Sequence, residues 1–118
     1  MDAHFTIDPE SRLNLIRISM AGFFAPSDVD AFKIAYRKGL MLLQPHHLTL
    51  VDITGMKIQA QDIVGSFAAL FAMPEIRSRK LAFVCGSTLA RLQAKRLTDR
   101  PGVEFFRTVS EAETWLFG

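Results

Sequence analysis

The sequence predicts an α/β domain with a mixed five-stranded sheet, an N-terminal β-hairpin followed by βαβαβ units, and about four helices. Two alternating apolar stretches open the chain. Three later apolar stretches each follow a segment with the apolar period of a helix. Strands joined through helices pair in parallel, with right-handed crossovers. The 118 residues are enough for a single domain, residues 1–118, with its own core.

The hairpin is predicted from residues 3–8 and 13–20, joined by a turn at 9–12. In the second strand the apolar side carries Ile16, Ile18 and Met20, because alternate residues of a strand share a face.

The first helix is predicted to begin at Pro26-Ser27, since proline's missing N–H costs nothing in a first turn, and to end at Gln44-Pro45-His46. Its buried stripe is Val29, Phe32, Tyr36, Leu40 and Leu43.

The central strand is predicted at 48–53, an apolar and β-branched run that is followed by a turn at Thr54-Gly55. The next helix closes at Met73-Pro74, and a polar connector follows at 74–79. The apolar positions of that helix are Ile63, Val64, Phe67, Leu70 and Phe71.

A short strand is predicted at 80–85, and a basic helix at 89–98 buries Leu89, Leu92 and Leu97. A turn at 99–102 leads to the last strand at 103–106. Ser110 and Glu113 fit a capping box that opens a final helix carrying Ala112, Trp115 and Leu116.

Composition excludes several classes of protein. The single cysteine, Cys85, excludes an internal disulfide, and its apolar strand predicts a buried, inert thiol. The start Met-Asp-Ala-His lacks the features of a signal peptide, and the uncharged runs 39–51 and 63–74 are too short to span a bilayer. We therefore expect a cytoplasmic protein.

His46 and His47 are adjacent and are interpreted as surface loop residues that hold no metal.

Charge is unevenly distributed along the chain. The net charge of +2 is too small to imply a polyanion, and no nucleic-acid partner is expected. Between positions 77 and 100, however, seven basic residues face one acid, Asp99. The basic face with Arg91, Lys95, Arg96 and Arg100 is either solvated or bound to anionic lipid heads or an acidic protein patch.

Three features resemble the STAS domain, and most of all its SpoIIAA-like branch of small stand-alone bacterial proteins. They are the order of elements, the motif Leu50-Val-Asp-Ile-Thr-Gly-Met-Lys-Ile-Gln59, and the tail Gly102-Val-Glu-Phe-Phe-Arg-Thr-Val-Ser-Glu-Ala-Glu-Thr-Trp-Leu116. The resemblance implies a non-catalytic regulatory domain. In anti-sigma-factor antagonists of this family, a hydroxyl at the start of the next helix is phosphorylated. Here those positions are Ala60-Gln61-Asp62, so the usual phosphoserine switch is not expected; the nearest hydroxyls are Thr54 and Ser66.

Candidate binding residues follow the two middle strands, where open α/β sheets place their sites. Asp52 is read either as a phosphoacceptor or metal ligand, or as an acceptor for loop amides near Gly55, which the residues favour. Residues 86–88 ahead of Arg91 are either an anion site or an ordinary helix cap. The predicted contact residues are Asp52, Thr54, Lys57, Gln59, Gln61, Ser87, Thr88 and Arg91.

Two functions stay open. The first is a docking module for another protein, with no catalysis, metal or cofactor, because no nucleophile–base pair or ligand set is evident. The second is a carrier or sensor of a small apolar or anionic ligand such as a lipid. Ten Phe residues fit either a dry core or an apolar pocket, the latter lined by Phe23, Phe24, Phe32, Phe67 and Phe71. The residues also leave open a homodimer through the first strands or the first two helices.

Overall fold

One mixed sheet contains all five strands in the order of the sequence. The computed structural model describes residues 2–98 and 100–118. β1 and β2 are antiparallel, and the remaining neighbours, β2–β3, β3–β4 and β4–β5, are parallel. The predicted hairpin and parallel units are therefore confirmed. The strands are β1 (His4–Glu10), β2 (Leu15–Gly22), β3 (Leu48–Met56), β4 (Lys80–Val84) and β5 (Val103–Phe106).

Four helices cover the sheet unequally. Because the parallel strands are added in sequence order with crossovers of one hand, the three connecting helices fall on the same face. The last helix follows β5 and packs on the opposite face, against β3, β4 and β5. The helices are α1 (Pro26–Leu40), α2 (Gln61–Phe71), α3 (Thr88–Leu97) and α4 (Val109–Phe117).

The central strand β3 contributes to two cores. Val51 and Ile53 face the larger core beneath α1, α2 and α3, while Leu48 and Leu50 face the smaller core beneath α4. This alternation is the period of two that a strand imposes. It explains why apolar residues of the run 48–53 occupy both alternating sets of positions: both faces of the strand are buried.

Edge-to-face aromatic contacts fill the larger core. Phe67 lies between Phe24 and Phe32, at ring-centroid distances of 5.4 and 5.6 Å, and Tyr36 continues the cluster from Phe32 at 5.7 Å. Phe24, Phe32, Phe67 and Phe71 are all buried, whereas Phe23 is 51% exposed. The hypothesis that these five phenylalanines line a ligand pocket is therefore wrong, because four of them pack in the core. Phe67 contacts Phe24 and Phe32, and Phe71 contacts Tyr36 and Phe83.

Polar contacts join α4 to the sheet. The guanidinium of Arg17 on β2 donates to Glu10 on β1 at 2.9 Å and to Glu113 on α4. Lys80 donates to the Trp115 carbonyl at 2.7 Å and lies 4.9 Å from the centroid of its ring. These contacts orient α4 over the smaller core.

Several predicted boundaries differ from the structure. β1 continues through Pro9 and Glu10, which were assigned to the turn; proline is tolerated because β1 is an edge strand. The turn is a short 3-10 helix, Ser11–Leu13. α1 ends at Leu40, earlier than predicted.

The start of α4 was also predicted wrongly. Thr108, and not Ser110, caps the helix, with its hydroxyl accepting from the Glu111 N–H at 3.1 Å. The same pattern of hydroxyl and acid occurs two residues earlier than predicted. In the turn predicted at 99–102, Asp99 lies outside the described residues, and Gly102 has a φ of 89°.

The buried side of α3 was predicted wrongly. Leu89 is 61% exposed and Leu92 is 56% exposed. The helix instead turns Ala90, Ala94 and Leu97 toward the core. Two alanines one turn apart let the helix approach the sheet closely, and its larger side chains consequently point outward.

We expect Phe67→Ala to lower the free energy of unfolding by about 3–5 kcal/mol, because it removes a buried ring that contacts two others. Equilibrium urea unfolding measures this change.

Gly65→Ala in the same helix is the matched control. A Cβ at Gly65 would meet nothing within 4 Å, so relief of glycine's helix penalty is expected to raise the unfolding free energy by about 0.5–1 kcal/mol. A loss of stability in Gly65→Ala would contradict this account of the α2 surface.

Candidate functional site

The carboxyl end of β3 carries a bulge that Asp52 holds in place. Ser19 pairs with Asp52 and Ala21 pairs with Gly55, so two residues of β3 lie opposite Met20 alone. The Asp52 carboxylate accepts from the N–H and the hydroxyl of Thr54, at 2.9 and 2.7 Å. Asp52 thus accepts the Thr54 N–H, beside Gly55, as the favoured interpretation predicts. The turn predicted at Thr54-Gly55 is wrong, however, because β3 continues through the bulge to Met56. The contact with Asp52 also fixes the position of Thr54, which is exposed at the carboxyl end of β3.

Gln59 is a structural residue. Its side chain is buried, with 8% exposed, and its Oε1 accepts from the Phe24 N–H at 2.8 Å while its Nε2 donates to the Gly22 carbonyl at 2.8 Å. The prediction that Gln59 contacts a partner is therefore wrong, because internal bonds use its amide. Its backbone N–H donates to Gln93 on α3 at 3.2 Å, which ties the loop after β3 to that helix.

Lys57 and Gln61 are exposed on either side of Gln59. The Lys57 backbone N–H donates to the Gly22 carbonyl at 3.2 Å. Gln61 is the first residue of α2. Binding by these two residues stays a prediction.

The two predicted halves of the site are neighbours in space. A Cβ built on Gly86 would lie 3.4 Å from the Thr54 carbonyl oxygen, so the turn after β4 lies against the bulge of β3. Ser87 caps α3 by accepting from the Ala90 N–H at 3.1 Å, as the ordinary-cap interpretation predicts. Thr88 is the first residue of α3, and Arg91 follows one turn later, exposed.

A half-open pocket of about 340 Å³ lies beside this turn. Arg91 and Arg107 contribute two cations, and Phe105 and Phe106 contribute apolar surface. Cys85 closes it; burial raises the pKa of its thiol to about 11, with Arg91 opposing and Asp52 reinforcing the shift. The thiol is therefore protonated at neutral pH. Its burial agrees with the prediction from the sequence.

Three exposed apolar residues at this end of the sheet were missed by the sequence analysis. Leu89 and Leu92 lie on α3, and Ile58, 46% exposed, lies in the loop that Gln93 ties to α3. The available signal was the competing Ala90–Ala94 pair, which marks an alternative buried face. Arg107 was also missed, because it reaches the pocket only through the pairing of β5 with β4.

The hydroxyls nearest the start of α2 have internal partners. Thr54 donates to Asp52, and Ser66 donates to the Asp62 carbonyl at 3.1 Å. Within residues 2–98 and 100–118 no group of three or more His, Cys, Asp or Glu side chains is arranged to hold a metal ion. None of the helices in that part of the chain has the length and apolar character needed to cross a membrane.

Solved structures share this fold over nearly the whole chain. An uncharacterized protein of the DUF3478 family with a SpoIIAA-like fold, from Shewanella loihica PV-4, is 19% identical and covers 98% of this chain and 96% of its own, with a TM-score of 0.75. An anti-sigma factor antagonist from Mycobacterium paratuberculosis is 10% identical and covers 99% of this chain and 96% of its own, with a TM-score of 0.65. No family model and no curated protein matches the sequence. The chain has the SpoIIAA-like fold, as predicted from its resemblance to STAS domains.

Gln59→Ala is expected to lower the unfolding free energy by about 1–3 kcal/mol, because it leaves the buried Phe24 N–H without its acceptor and removes one of two donors to the Gly22 carbonyl. Gln61→Ala, at an exposed position two residues away, should change it by less than about 0.5 kcal/mol. Urea unfolding of the two variants provides the comparison; equal effects would contradict the structural role of Gln59.

Proposed function

We propose that this protein is a non-catalytic docking module that binds another protein at the carboxyl ends of β3 and β4, without the usual phosphoserine switch. The exposed leucines of α3 carry the proposal. Leu89 and Leu92 on α3 are exposed to solvent, and so is Ile58 in the loop that is bonded to α3. Exposed apolar side chains grouped on a surface are typical of an interaction site. We define the docking surface as Lys57, Ile58, Leu89, Arg91, Leu92, Lys95 and Arg96.

Charge indicates an acidic partner. Within residues 2–98 and 100–118 the ion pairs are made by Arg17 and Arg37, and none involves Arg91, Lys95 or Arg96. Exposed cations around an apolar centre favour a protein surface that carries acids at its rim, because opposite potentials speed encounter and reject other partners.

The surroundings support docking in preference to chemistry. The Asp52 carboxylate holds the bulge through Thr54, so it supports the shape of the edge. Gln59 and Gln93 fix the loop against α3, so Ile58 and the leucines are presented on a preorganised frame. The description of one structural neighbour as an anti-sigma factor antagonist supports a protein as the class of partner.

Leu89→Ser combined with Leu92→Ser is expected to weaken partner binding by at least about tenfold, because both side chains leave water on docking. The unfolding free energy should change little, since both residues are exposed. The measurement is a quantitative affinity purification from the source cells, followed by determination of the Kd for the protein recovered.

The matched control is Ile34→Ser with Leu42→Ser, which removes similar exposed apolar area from and beyond α1. A partner retained by the wild type and this control, but lost from the α3 variant, supports the proposal. A partner bound equally by all three proteins contradicts the position of the surface.

A second candidate is the binding of a small anionic molecule with an apolar part. The pocket beside Ser87 favours it, because two arginines and two phenylalanines meet at the start of a helix, where backbone N–H groups attract anions. Its location differs from the phenylalanine-lined pocket considered above.

Decanoate is the probe for this candidate. Titration should shift the amide resonances of Ser87, Thr88 and Arg107, and Arg107→Ala should weaken the binding by about tenfold because one charged contact is lost. Acetate, which lacks the apolar chain, is the control ligand. Shifts spread over the whole surface, or equal binding of acetate, would contradict this candidate.

A further inference from the structure

A second pocket lies at the opposite end of the sheet, where the parallel strands begin. The segments that lead into β3, β4 and β5 converge there, because parallel strands start at the same edge. The pocket measures about 560 Å³ and is lined by residues 45–47, by the connector 74–79 without Ile76, and by Arg100 and Pro101. It thus contains the part of the basic stretch that the docking surface does not use.

Three guanidinium groups gather at this pocket, those of Arg77, Arg79 and Arg100. Burial, followed by repulsion from Arg77, lowers the pKa of Arg100. Among the described lining residues the acid is Glu75, and its carboxylate accepts from Arg37 at 3.1 Å. The pocket therefore has an excess of positive charge.

Hydrogen bonds fix the Arg100 side chain and the backbone of the connectors at this pocket. Arg100 donates to the carbonyls of Pro101 and Ser78, at 3.1 and 3.4 Å. The Arg79 N–H donates to the His47 carbonyl at 2.8 Å, which ties the connector before β4 to the segment before β3. Cations on connectors that bond to one another form a site of defined shape.

His47 also lines this pocket. The adjacent histidines predicted a surface position for it, which is wrong, since only 6% of the residue is exposed. Its Nε2 is buried and has no hydrogen-bond partner within residues 2–98 and 100–118. Burial lowers the pKa of His47, so the ring is neutral at pH 7 and adds no charge beside the arginines.

We propose that this pocket binds a small molecule through a phosphate or pyrophosphate group, held by Arg77 and Arg100 with His47 at its inner wall. A guanidinium presents a fork of N–H donors that matches phosphate oxygens, and two of them relieve their mutual repulsion by sharing one anion. The inference is independent of the proposed docking function, because the two sites lie at opposite ends of the strands.

Isothermal titration of the full chain with pyrophosphate, at constant ionic strength, tests the proposal. The wild type should bind saturably, and Arg77→Gln should weaken binding by about tenfold, since one charge-assisted contact is lost. Arg77 is exposed and donates no side-chain bond among those described, so this variant retains the fold. Arg77→Gln combined with Arg100→Gln should abolish binding.

Arg12→Gln combined with Lys38→Gln is the control, because it removes the same charge from exposed positions outside both proposed sites. Saturable binding that survives in the control and is lost in the pocket variants supports the proposal. Absence of saturable binding in the wild type, or equal weakening in the control, would overturn it. Amide shifts of Ser78 and Arg79 during the titration locate the anion independently of affinity.

Discussion

The position of β3 in the middle of the sheet is the constraint on which the rest of the molecule depends. It is hydrogen-bonded to β2 and β4 and buried on both faces, with Val51 and Ile53 in one core and Leu48 and Leu50 in the other. A one-residue slip would exchange these two sets. The register of β3 therefore determines which residues lie at each end of the strand. Asp52 and the bulge lie at one end, and His47 lies at the other.

The bulge and Gln59 act together at the carboxyl end. Asp52 bonds to Thr54 within the bulge of β3. The Gln59 side chain bonds the following loop to the segment before α1, and the Gln59 N–H bonds it to α3. The polar side chains nearest the sheet are thus engaged in internal hydrogen bonds. The groups left for a partner are farther out, on α3 and on the loop that bears Ile58. This explains why part of the predicted polar rim is structural.

The basic stretch from Arg77 to Arg100 is divided between the two ends of the sheet. Arg91, Lys95 and Arg96 are exposed on α3, whereas Arg77, Arg79 and Arg100 line the pocket where strands begin. β4 leads the chain from Arg79 to the opposite end of the sheet, and α3 leads it back to Arg100. One linear excess of charge consequently serves two separate surfaces, and neither could be located from the count of charges.

The sequence by itself determined the order of the elements, the sense of the strand pairing and the burial of β3, because these follow from apolar periodicity and chain connectivity. It also predicted the hydrogen-bonding roles of Asp52 and Ser87, since each bonds within three residues. Only the tertiary structure decided which face of α3 is buried, that Gln59 and His47 are interior, and that phenylalanines close on one another. Each of these depends on contacts between residues that are distant in the chain. Such contacts decide whether the alanines or the leucines of α3 are buried, and whether a polar side chain bonds to the protein or to solvent.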